Sequence, residues 1–419
     1  MNNTITIAPS KLEGEVELSG AKNAVLKLLA ASLLTEDKVV IGNFPATLSD
    51  AIIHLDMLES LGKQCDLSPD GKTVTITQVT EPPDELVWEG RSIRNTLLIL
   101  GAIFGKRGNL RVPHPGGCKL GERKHDIHLM ILQAFGGVIE ENDEYLGASR
   151  NSKLKGCDVH LPIRSTGATE NAILIASLAD GITNIWNPHI RPEIIDLVNM
   201  LNSMGANITV KGQERIIVNG VKKLSGTSYD VILDNMEALT WTVAAMITGG
   251  TIEIKNFPFE HLEVPLTFLR ESGAKIYRCG SDAIVQSGEC FPLEISTGPY
   301  PGINSDMQPI LAAHAACAYG SSTIVDLRFI GRYAYSEQFN KMGVETNIDG
   351  SMLKIIGKGR ESLKAASVQA TDLRAGISLA LLGMAVKEGE TTITDAWQIE
   401  RGYCNFKEKL LGLGGAIKW

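Results

Sequence analysis

The chain has 419 residues, of which 44% are apolar and 21% are charged, a composition that excludes a wholly disordered protein. Forty lysines and arginines against 48 aspartates and glutamates give a formal net charge of −8, which argues against a general nucleic-acid-binding or anionic membrane-binding surface. There is no long apolar run, no signal peptide and no CxxC pair among the seven cysteines. We therefore expect a cytoplasmic protein with reduced thiols, no membrane insertion and no metal site.

A helix end followed by a glycine and then a strand occurs six times, at intervals of about 70 residues. Each glycine is expected to end its helix in the left-handed C′ conformation. These glycines are Gly62, Gly136, Gly205, Gly273, Gly343 and Gly414. Interleaved with them are six helices rich in Ala, Leu and Gly, which lack a polar face and should be buried on all sides. The pattern predicts an α/β fold of six repeats, arranged as one ring or as two groups of three. It argues against a Rossmann fold, since no GxGxxG follows the first strand.

The first stretch that stands apart from this packing pattern is SGAKNAVLKLL, residues 19–29. It places Lys22 and Asn23 where a glycine-containing turn enters a buried helix. A helix N-terminus favours anions, and a lysine there is costly unless it has a partner. The two residues are thus candidates for an anion site; the alternative is a surface lysine at a helix start.

A second stretch, PHPGGCKLGERKHDIHL at residues 113–129, is too rich in proline, glycine and cations to form a regular element. It carries Cys118 between cationic neighbours, Lys119 and Arg123. Nearby cations lower the pKa of a thiol and increase its reactivity. We interpret this segment as a functional loop; the alternative is an incidental exposed cysteine.

Arginines recur beside carboxylates at the junctions of the repeats. Because the guanidinium fork is planar and bidentate, such arginines commonly bind carboxylate or phosphate. Each one alone could be a structural ion pair, but the set favours a convergent anion site. The residues are Arg94, Asp306, Arg332, Asp372, Arg374 and Arg401.

Taken in order, the motifs SGAKNA, PGGC-x-x-G-x-R, STGATEN, SDMQ, GRY, TDLRAG and ERGY resemble the bacterial UDP-N-acetylglucosamine enolpyruvyl transferase family over essentially the whole chain. The resemblance implies the α/β fold called an inverted α/β prism, with two domains of three βαβαββ repeats each. One domain would comprise residues 1–21 and 230–419. The other, residues 22–229, would be inserted and carry the Cys118 loop.

The resemblance also implies a reaction. The enolpyruvyl group of phosphoenolpyruvate would move to the 3′-hydroxyl of UDP-N-acetylglucosamine with release of phosphate, the first committed step of peptidoglycan precursor synthesis. The mechanism would be addition followed by elimination and would need no cofactor and no metal. Cys118 matches the loop cysteine that adds to phosphoenolpyruvate and is alkylated by fosfomycin.

The matching positions imply three groups of site residues. The catalytic group is Lys22, Cys118, Asp306 and Asp372. The phosphoenolpyruvate-binding group is Lys22, Arg94, Arg123, Arg332, Arg374 and Arg401. The group that binds the nucleotide sugar is Asn23, Arg123, Lys124, His125, Asp126, Ser165, Thr166, Gly167, Asp306 and Arg328.

Departures from the family pattern fall at the acceptor end. Where the family reads Arg-Pro-Val-Asp, this chain has Lys124 in place of the proline and His125 in place of the valine. In addition, Arg328 stands in place of a small apolar residue. The pattern fits a divergent family member or a paralogue that uses another nucleotide or sugar acceptor, for example in nucleoside antibiotic biosynthesis. A non-catalytic binding protein is a third reading, but the retained reactive cysteine and arginines argue against it.

Overall fold

The computed structural model describes residues 3–116 and 124–419. The described chain divides into two compact units. Unit 1 consists of residues 3–19 and 233–419, and unit 2 consists of residues 20–116 and 124–232. Each unit contains its own sheets and its own buried helices.

The strands of the described residues, in chain order, are β1 Thr4–Ala8, β2 Glu13–Glu17, β3 Val39–Gly42, β4 Lys63–Leu67, β5 Thr73–Gln78, β6 Asn109–Pro113, β7 Val138–Glu141, β8 Tyr145–Ser149, β9 Asp158–His160, β10 Ile182–Trp186, β11 Asn207–Lys211, β12 Arg215–Asn219, β13 Thr227–Asp230, β14 Thr251–Lys255, β15 Lys275–Cys279, β16 Asp282–Gln286, β17 Glu294–Ser296, β18 Tyr319–Val325, β19 Glu345–Asp349, β20 Met352–Lys358, β21 Ser367–Gln369, β22 Thr391–Thr394 and β23 Ala416–Lys418.

The α-helices of the described residues are α1 Lys22–Ala31, α2 Ser49–Ser60, α3 Thr96–Lys106, α4 Asp126–Ala134, α5 Thr166–Ala176, α6 Pro192–Ser203, α7 Asn235–Thr248, α8 Glu263–Glu271, α9 Gln308–Cys317, α10 Tyr335–Lys341, α11 Leu373–Ala385, α12 Trp397–Glu400 and α13 Phe406–Gly412. None of them is long and apolar enough to cross a membrane.

Unit 2 contains three sheets, with strand orders β13-β3-β5-β4, β6-β8-β7 and β11-β12-β10-β9. In the two four-stranded sheets, one edge strand is parallel to its neighbour: β13 to β3, and β9 to β10. The remaining pairs are antiparallel, and two of them, β4 with β5 and β11 with β12, are hairpins. In the three-stranded sheet, the corresponding edge strand is reduced to a single parallel bridge between Glu85 and Arg111.

Unit 1 repeats this arrangement in three four-stranded sheets, ordered β15-β16-β14-β2, β17-β18-β20-β19 and β21-β22-β1-β23. The parallel pairs are β2 with β14, β17 with β18, and β21 with β22. The N-terminal strand β1 completes the last sheet, with Ile5 opposite Ile393. The predicted α/β architecture of repeats is confirmed, and the repeats form two groups of three.

Burial separates the helices as the sequence predicted. Helices α1, α3 and α5 of unit 2 and α7, α9 and α11 of unit 1 are mostly or wholly buried; all residues of α7 and α11 are buried. The other full-length helices keep an exposed face. The six marker glycines have φ between +80° at Gly414 and +98° at Gly273, which confirms the left-handed helix ends.

Candidate active site

Four of the sequence-predicted residues form a connected cluster of charges in unit 1. Nη1 of Arg332 lies 2.8 Å from Oδ1 of Asp306, and Nε of Arg374 lies 3.7 Å from Oδ2 of the same carboxylate. Nη2 of Arg332 is also 4.0 Å from Asp372. The two arginine side chains are 4% and 1% exposed, whereas Asp306 is 27% exposed. The carboxylate of Asp306 is therefore the accessible side of this cluster.

The starts of two buried helices position these side chains. Asp372 caps the N-terminus of α11 and accepts hydrogen bonds from the backbone N–H of Arg374, at 2.7 Å, and of Ala375, at 3.1 Å. Gln308, the first residue of α9, donates from Nε2 to the carbonyl of Arg332 at 2.9 Å. The guanidinium of Arg332 also donates to Ser305 at 3.1 Å. The start of α11 thus holds Asp372 and Arg374, and a hydrogen bond from the start of α9 holds the backbone of Arg332.

The two guanidinium groups are held in the charged state. Burial works against the charge of Arg332, but the carboxylates of Asp306 and Asp372 outweigh it and raise the pKa of Arg332. Burial likewise opposes the charge of Arg374, but Tyr403 and Asp306 raise its pKa. Two permanent, desolvated cations that share one carboxylate can bind the carboxylate or phosphate of a ligand.

Arg401 lies beside this cluster in the same unit. Arg401 is buried and directly follows the last residue of α12. Its Nη1 donates to Oε1 of Gln398 at 2.9 Å, and its Cζ lies 5.7 Å from the centroid of the Trp397 ring. A Cβ added to the next residue, Gly402, would lie 3.6 Å from Nη1 of Arg374. The backbone at Gly402 is therefore close to the guanidinium of Arg374.

The sequence analysis missed Tyr403, although it lies within the ERGY motif. Its hydroxyl accepts a hydrogen bond from Nη1 of Arg374 at 3.2 Å and lies 2.8 Å from Oγ1 of Thr240. Thr240 in turn donates to the carbonyl of Met236 at 2.8 Å. Because the Thr240 proton is used there, Tyr403 donates to Thr240 and accepts from Arg374. This chain of hydrogen bonds fixes the guanidinium of Arg374.

In unit 2, Lys22 begins α1 and has the charge partner that its position requires. Its Nζ lies 3.2 Å from Oδ2 of Asp50, and Nη2 of Arg91 lies 2.7 Å from the other oxygen. Asn23 follows, half-buried in the first turn. The sequence analysis missed Asp50 and Arg91, because the spacing of a single sequence does not show which carboxylate meets Lys22.

Arg94 and the residues that follow the loop also lie in unit 2. Nη2 of Arg94 donates to the carbonyl of Lys124 at 2.8 Å. The side chains of Lys124 and Asp126 are exposed. His125 has its Nε2 2.8 Å from Oε1 of Glu141, so this departure from the family pattern has an internal partner.

Ser165, Thr166 and Gly167 form the N-terminal turn of α5. Ser165 is the N-cap and accepts a long hydrogen bond, 3.5 Å, from the N–H of Ala168. Thr166 has its hydroxyl 2.8 Å from Nδ1 of His189. Gly167 packs against the imidazole of His128. The free N–H groups of such a helix end suit an anionic ligand.

The remaining predicted residues lie elsewhere. Arg328 is exposed in unit 1, with its guanidinium 5.5 Å from the ring centroid of Phe329. Its backbone N–H donates to Oδ1 of Asp326 at 2.9 Å. Cys118 and Arg123 lie outside the described residues. Within residues 3–116 and 124–419, no group of three or more His, Cys, Asp or Glu side chains is arranged to hold a metal ion.

Known proteins match the chain over almost its whole length. The family model of EPSP synthase (3-phosphoshikimate 1-carboxyvinyltransferase) matches residues 7–410. UDP-N-acetylglucosamine 1-carboxyvinyltransferase 1 of Caldanaerobacter subterraneus is 39% identical over 410 residues, which are 97% of this chain and 96% of that protein. UDP-N-acetylglucosamine 1-carboxyvinyltransferase 2 of Clostridium tetani is 38% identical over 422 residues, which cover 100% of this chain and 99% of that protein.

Solved structures share the fold. The enolpyruvyl transferase NikO from Streptomyces tendae has a TM-score of 0.89 at 23% identity, with 99% of this chain and 98% of that chain covered. EPSP synthase from Acinetobacter baumannii has a TM-score of 0.76 at 19% identity, with 99% of each chain covered. These likenesses confirm the α/β enolpyruvyl transferase fold. Together with the sequence relatives, they show that the chain belongs to the enolpyruvyl transferase family of the EPSP synthases and UDP-N-acetylglucosamine 1-carboxyvinyltransferases.

Proposed function

We propose that this protein transfers the enolpyruvyl group of phosphoenolpyruvate to the 3′-hydroxyl of UDP-N-acetylglucosamine and releases phosphate. The relatives at 36–39% identity, named for this activity, support the assignment. The observation that carries it in the structure is the pair of buried guanidinium groups, Arg332 and Arg374, that share the carboxylate of Asp306. Such a site can hold an anionic substrate and present a proton acceptor to it.

The proposed chemistry assigns separate tasks to these residues. Arg332, Arg374 and Arg401 bind the anionic groups of phosphoenolpyruvate, since buried cations stabilise the charge that develops during addition and elimination. Lys22 and Arg94 bind its phosphate. Cys118, outside the described residues, supplies the loop thiol that takes part in proton transfer and is the proposed target of fosfomycin.

Asp306 is the proposed base for the 3′-hydroxyl. In the structure its two oxygens face Arg332 and Arg374. A substrate carboxylate that binds these guanidinium groups would replace those contacts, and Asp306 could then accept the hydroxyl proton. Asp372 keeps Arg374 oriented through the helix cap and lies beside the reacting centre.

We further propose that the nucleotide diphosphate binds at the N-terminus of α5, beside Ser165, Thr166 and Gly167, with Asn23 at the sugar. The internal pairing of His125 and the exposure of Lys124 favour UDP-N-acetylglucosamine, because neither side chain needs an extra anionic group on the acceptor. We take units 1 and 2 to be the two domains. The proposed setting is peptidoglycan precursor synthesis in the cytoplasm.

One feature favours the alternative of a different nucleotide or sugar acceptor. The exposed side chain of Arg328 stands where the family has a small apolar residue that contacts the sugar. An arginine there could bind a polar or anionic group that UDP-N-acetylglucosamine lacks.

Phosphate release from phosphoenolpyruvate, measured with a panel of nucleotide acceptors, tests both assignments. We expect turnover with UDP-N-acetylglucosamine and retention of it in Arg328→Val. Turnover only with another nucleotide, lost in Arg328→Val, would establish the alternative. No turnover with any acceptor would indicate a binding protein.

A further inference from the structure

Asp326 is a fully buried carboxylate that the proposed mechanism does not use. It directly follows the last residue of β18. Its Oδ1 accepts hydrogen bonds from the backbone N–H groups of Arg328, at 2.9 Å, and Phe329, at 3.0 Å, and from Oγ1 of Thr297 at 2.9 Å. Its Oδ2 accepts from Oγ of Ser305 at 2.5 Å. The two oxygens thus have separate tasks: one fixes a turn, and the other holds a hydroxyl group of the candidate active site.

The hydroxyl of Ser305 lies between this carboxylate and the guanidinium of Arg332. Nη1 of Arg332 is 3.1 Å from Oγ of Ser305. A carboxylate can only accept hydrogen bonds, and a guanidinium can only donate them. Ser305 must therefore donate its proton to Asp326 and accept from Arg332. Through this hydroxyl, a fully buried carboxylate orients a guanidinium whose side chain is 4% exposed.

The contact of Arg332 with Ser305 differs from its contact with Asp306 in what substrate binding would do to it. Nη1 of Arg332 lies 2.8 Å from Oδ1 of Asp306, and in the proposed mechanism a substrate carboxylate replaces that contact. The contact with Ser305 would remain, because Asp326 holds the serine proton and a lone pair stays turned towards Arg332. The guanidinium would thus keep its position while Asp306 is released to act as the base.

We propose that Asp326 is a positioning residue for phosphoenolpyruvate, which acts on Arg332 through the hydroxyl of Ser305. The inference rests on the proposed function and adds to it a residue that acts through another side chain. A guanidinium that is already held in place loses little freedom when it binds an anion, and the low local dielectric strengthens the hydrogen bond that holds it. The main effect of Asp326 is therefore on KM for phosphoenolpyruvate rather than on kcat.

Ser305→Ala and Asp326→Asn test this route. The first removes the hydroxyl. The second replaces the oxygen that receives the serine proton with an amide NH2 group, because Oδ1 is needed by the donors of the turn. Each substitution should raise KM for phosphoenolpyruvate about tenfold and change kcat less, in assays of phosphate release at saturating acceptor. The double variant should have about the same KM as either single variant, whereas independent roles would multiply to about a hundredfold.

Thr297→Val is the matched control. Thr297 is also buried and donates to the same carboxylate, but to the oxygen that fixes the turn. This variant should lower the melting temperature and leave KM for phosphoenolpyruvate unchanged. An equal rise of KM in Thr297→Val would reduce Asp326 to a structural role and overturn the inference. An unchanged KM in Ser305→Ala would also overturn it, even if Asp326→Asn failed to fold, and so would independent effects in the double variant.

The same assay separates this inference from the proposed function. Turnover only with another nucleotide would overturn the proposed acceptor but not the role of Asp326, since KM for phosphoenolpyruvate can be measured in all variants with that nucleotide. No turnover of the unsubstituted protein with any acceptor would overturn the proposed function, and the inference with it.

Discussion

Lys27 and Glu170 form an ion pair in the interior of unit 2, with Nζ of Lys27 3.5 Å from Oε2 of Glu170. The side chain of Glu170 is 1% exposed, and neither of its oxygens has a hydrogen-bond partner among the described residues. Burial raises the pKa of Glu170 to about 7, although the charge of Lys27 opposes the shift. Burial also lowers the pKa of Lys27. The pair is therefore a source of pH-dependent stability.

Glu170→Gln should be nearly neutral for stability at pH 5 and stabilising at pH 8. A raised folded-state pKa means that the folded protein holds the proton more tightly than the unfolded chain. The resulting stability is present below the unfolded pKa of about 4.5 and is lost as the pH rises through about 7. Gln resembles the protonated acid, so the variant should avoid this loss, worth roughly 1–3 kcal/mol.

Chemical denaturation of both proteins from pH 5 to pH 8 measures this difference. The exposed Glu144 provides the control, because Glu144→Gln should not change the pH dependence. A Glu170→Gln variant that becomes less stable than the unsubstituted protein as the pH rises would contradict the expectation.

Tyr403→Phe should weaken phosphoenolpyruvate binding by about tenfold or more. The substitution removes the hydroxyl that accepts from Arg374 and donates to Thr240, and hydrogen bonds to charged groups contribute about 1.5–3 kcal/mol. We expect KM for phosphoenolpyruvate to rise more than kcat falls, because the guanidinium remains but is less well oriented. Steady-state kinetics, with Tyr277→Phe at an exposed position as the control, tests this role. An unchanged KM would show that Tyr403 only fills space.

Asp306→Asn should lower kcat by about a hundredfold or more without weakening the binding of phosphoenolpyruvate. The change removes the proposed base, and general bases contribute about 10²–10⁴-fold. It also removes the negative charge that competes for Arg332 and Arg374, so affinity for an anion should stay the same or increase. Turnover and calorimetric binding measure the two effects separately. Near-normal turnover would exclude Asp306 as the base, and Asp349→Asn, at an exposed position, is the control.

Gly101→Ala should destabilise the fold by about 1–3 kcal/mol. Its Cβ would lie 1.8 Å from Oδ1 of Asn171, where α3 packs against α5, and overpacking of this kind forces neighbours out of place. Gly412→Ala is the matched control, since a Cβ at that helical glycine meets no atom within 4 Å. It should be neutral or stabilising by up to about 1 kcal/mol. Denaturant titration that ranks the two variants in the opposite order would refute this account.

Cys118→Ser should abolish alkylation by fosfomycin. The prediction rests on the sequence, in which Lys119 and Arg123 lie near the thiol and favour the reactive thiolate. Mass spectrometry of the protein treated in the presence of a nucleotide should find a single adduct, on the peptide that contains Cys118. An adduct on another cysteine, or none, would remove Cys118 from its proposed role.

Local features of the fold were predictable from the sequence because they depend on neighbours along the chain. Glycine is favoured wherever a helix must end with positive φ, so the six helix ends could be found without the structure. A helix without a polar face must be buried, which identified α7 and α11. The short motifs that carry Lys22, Arg332 and Arg374 could also be recognised, since each occupies only a few consecutive residues.

Only the tertiary structure decided which distant residues meet. The period of the repeats left one ring or two groups of three open; the pairing of β3 with β13 and of β2 with β14 selects two groups. The partner of Lys22 is Asp50, and the partner of His128 is Asn171, 43 residues away. Tyr403 likewise contacts Arg374, although the two residues are 29 positions apart in the sequence. Such contacts form when whole helices pack, so they depend on the three-dimensional arrangement of the elements, which the spacing of residues along one chain does not encode.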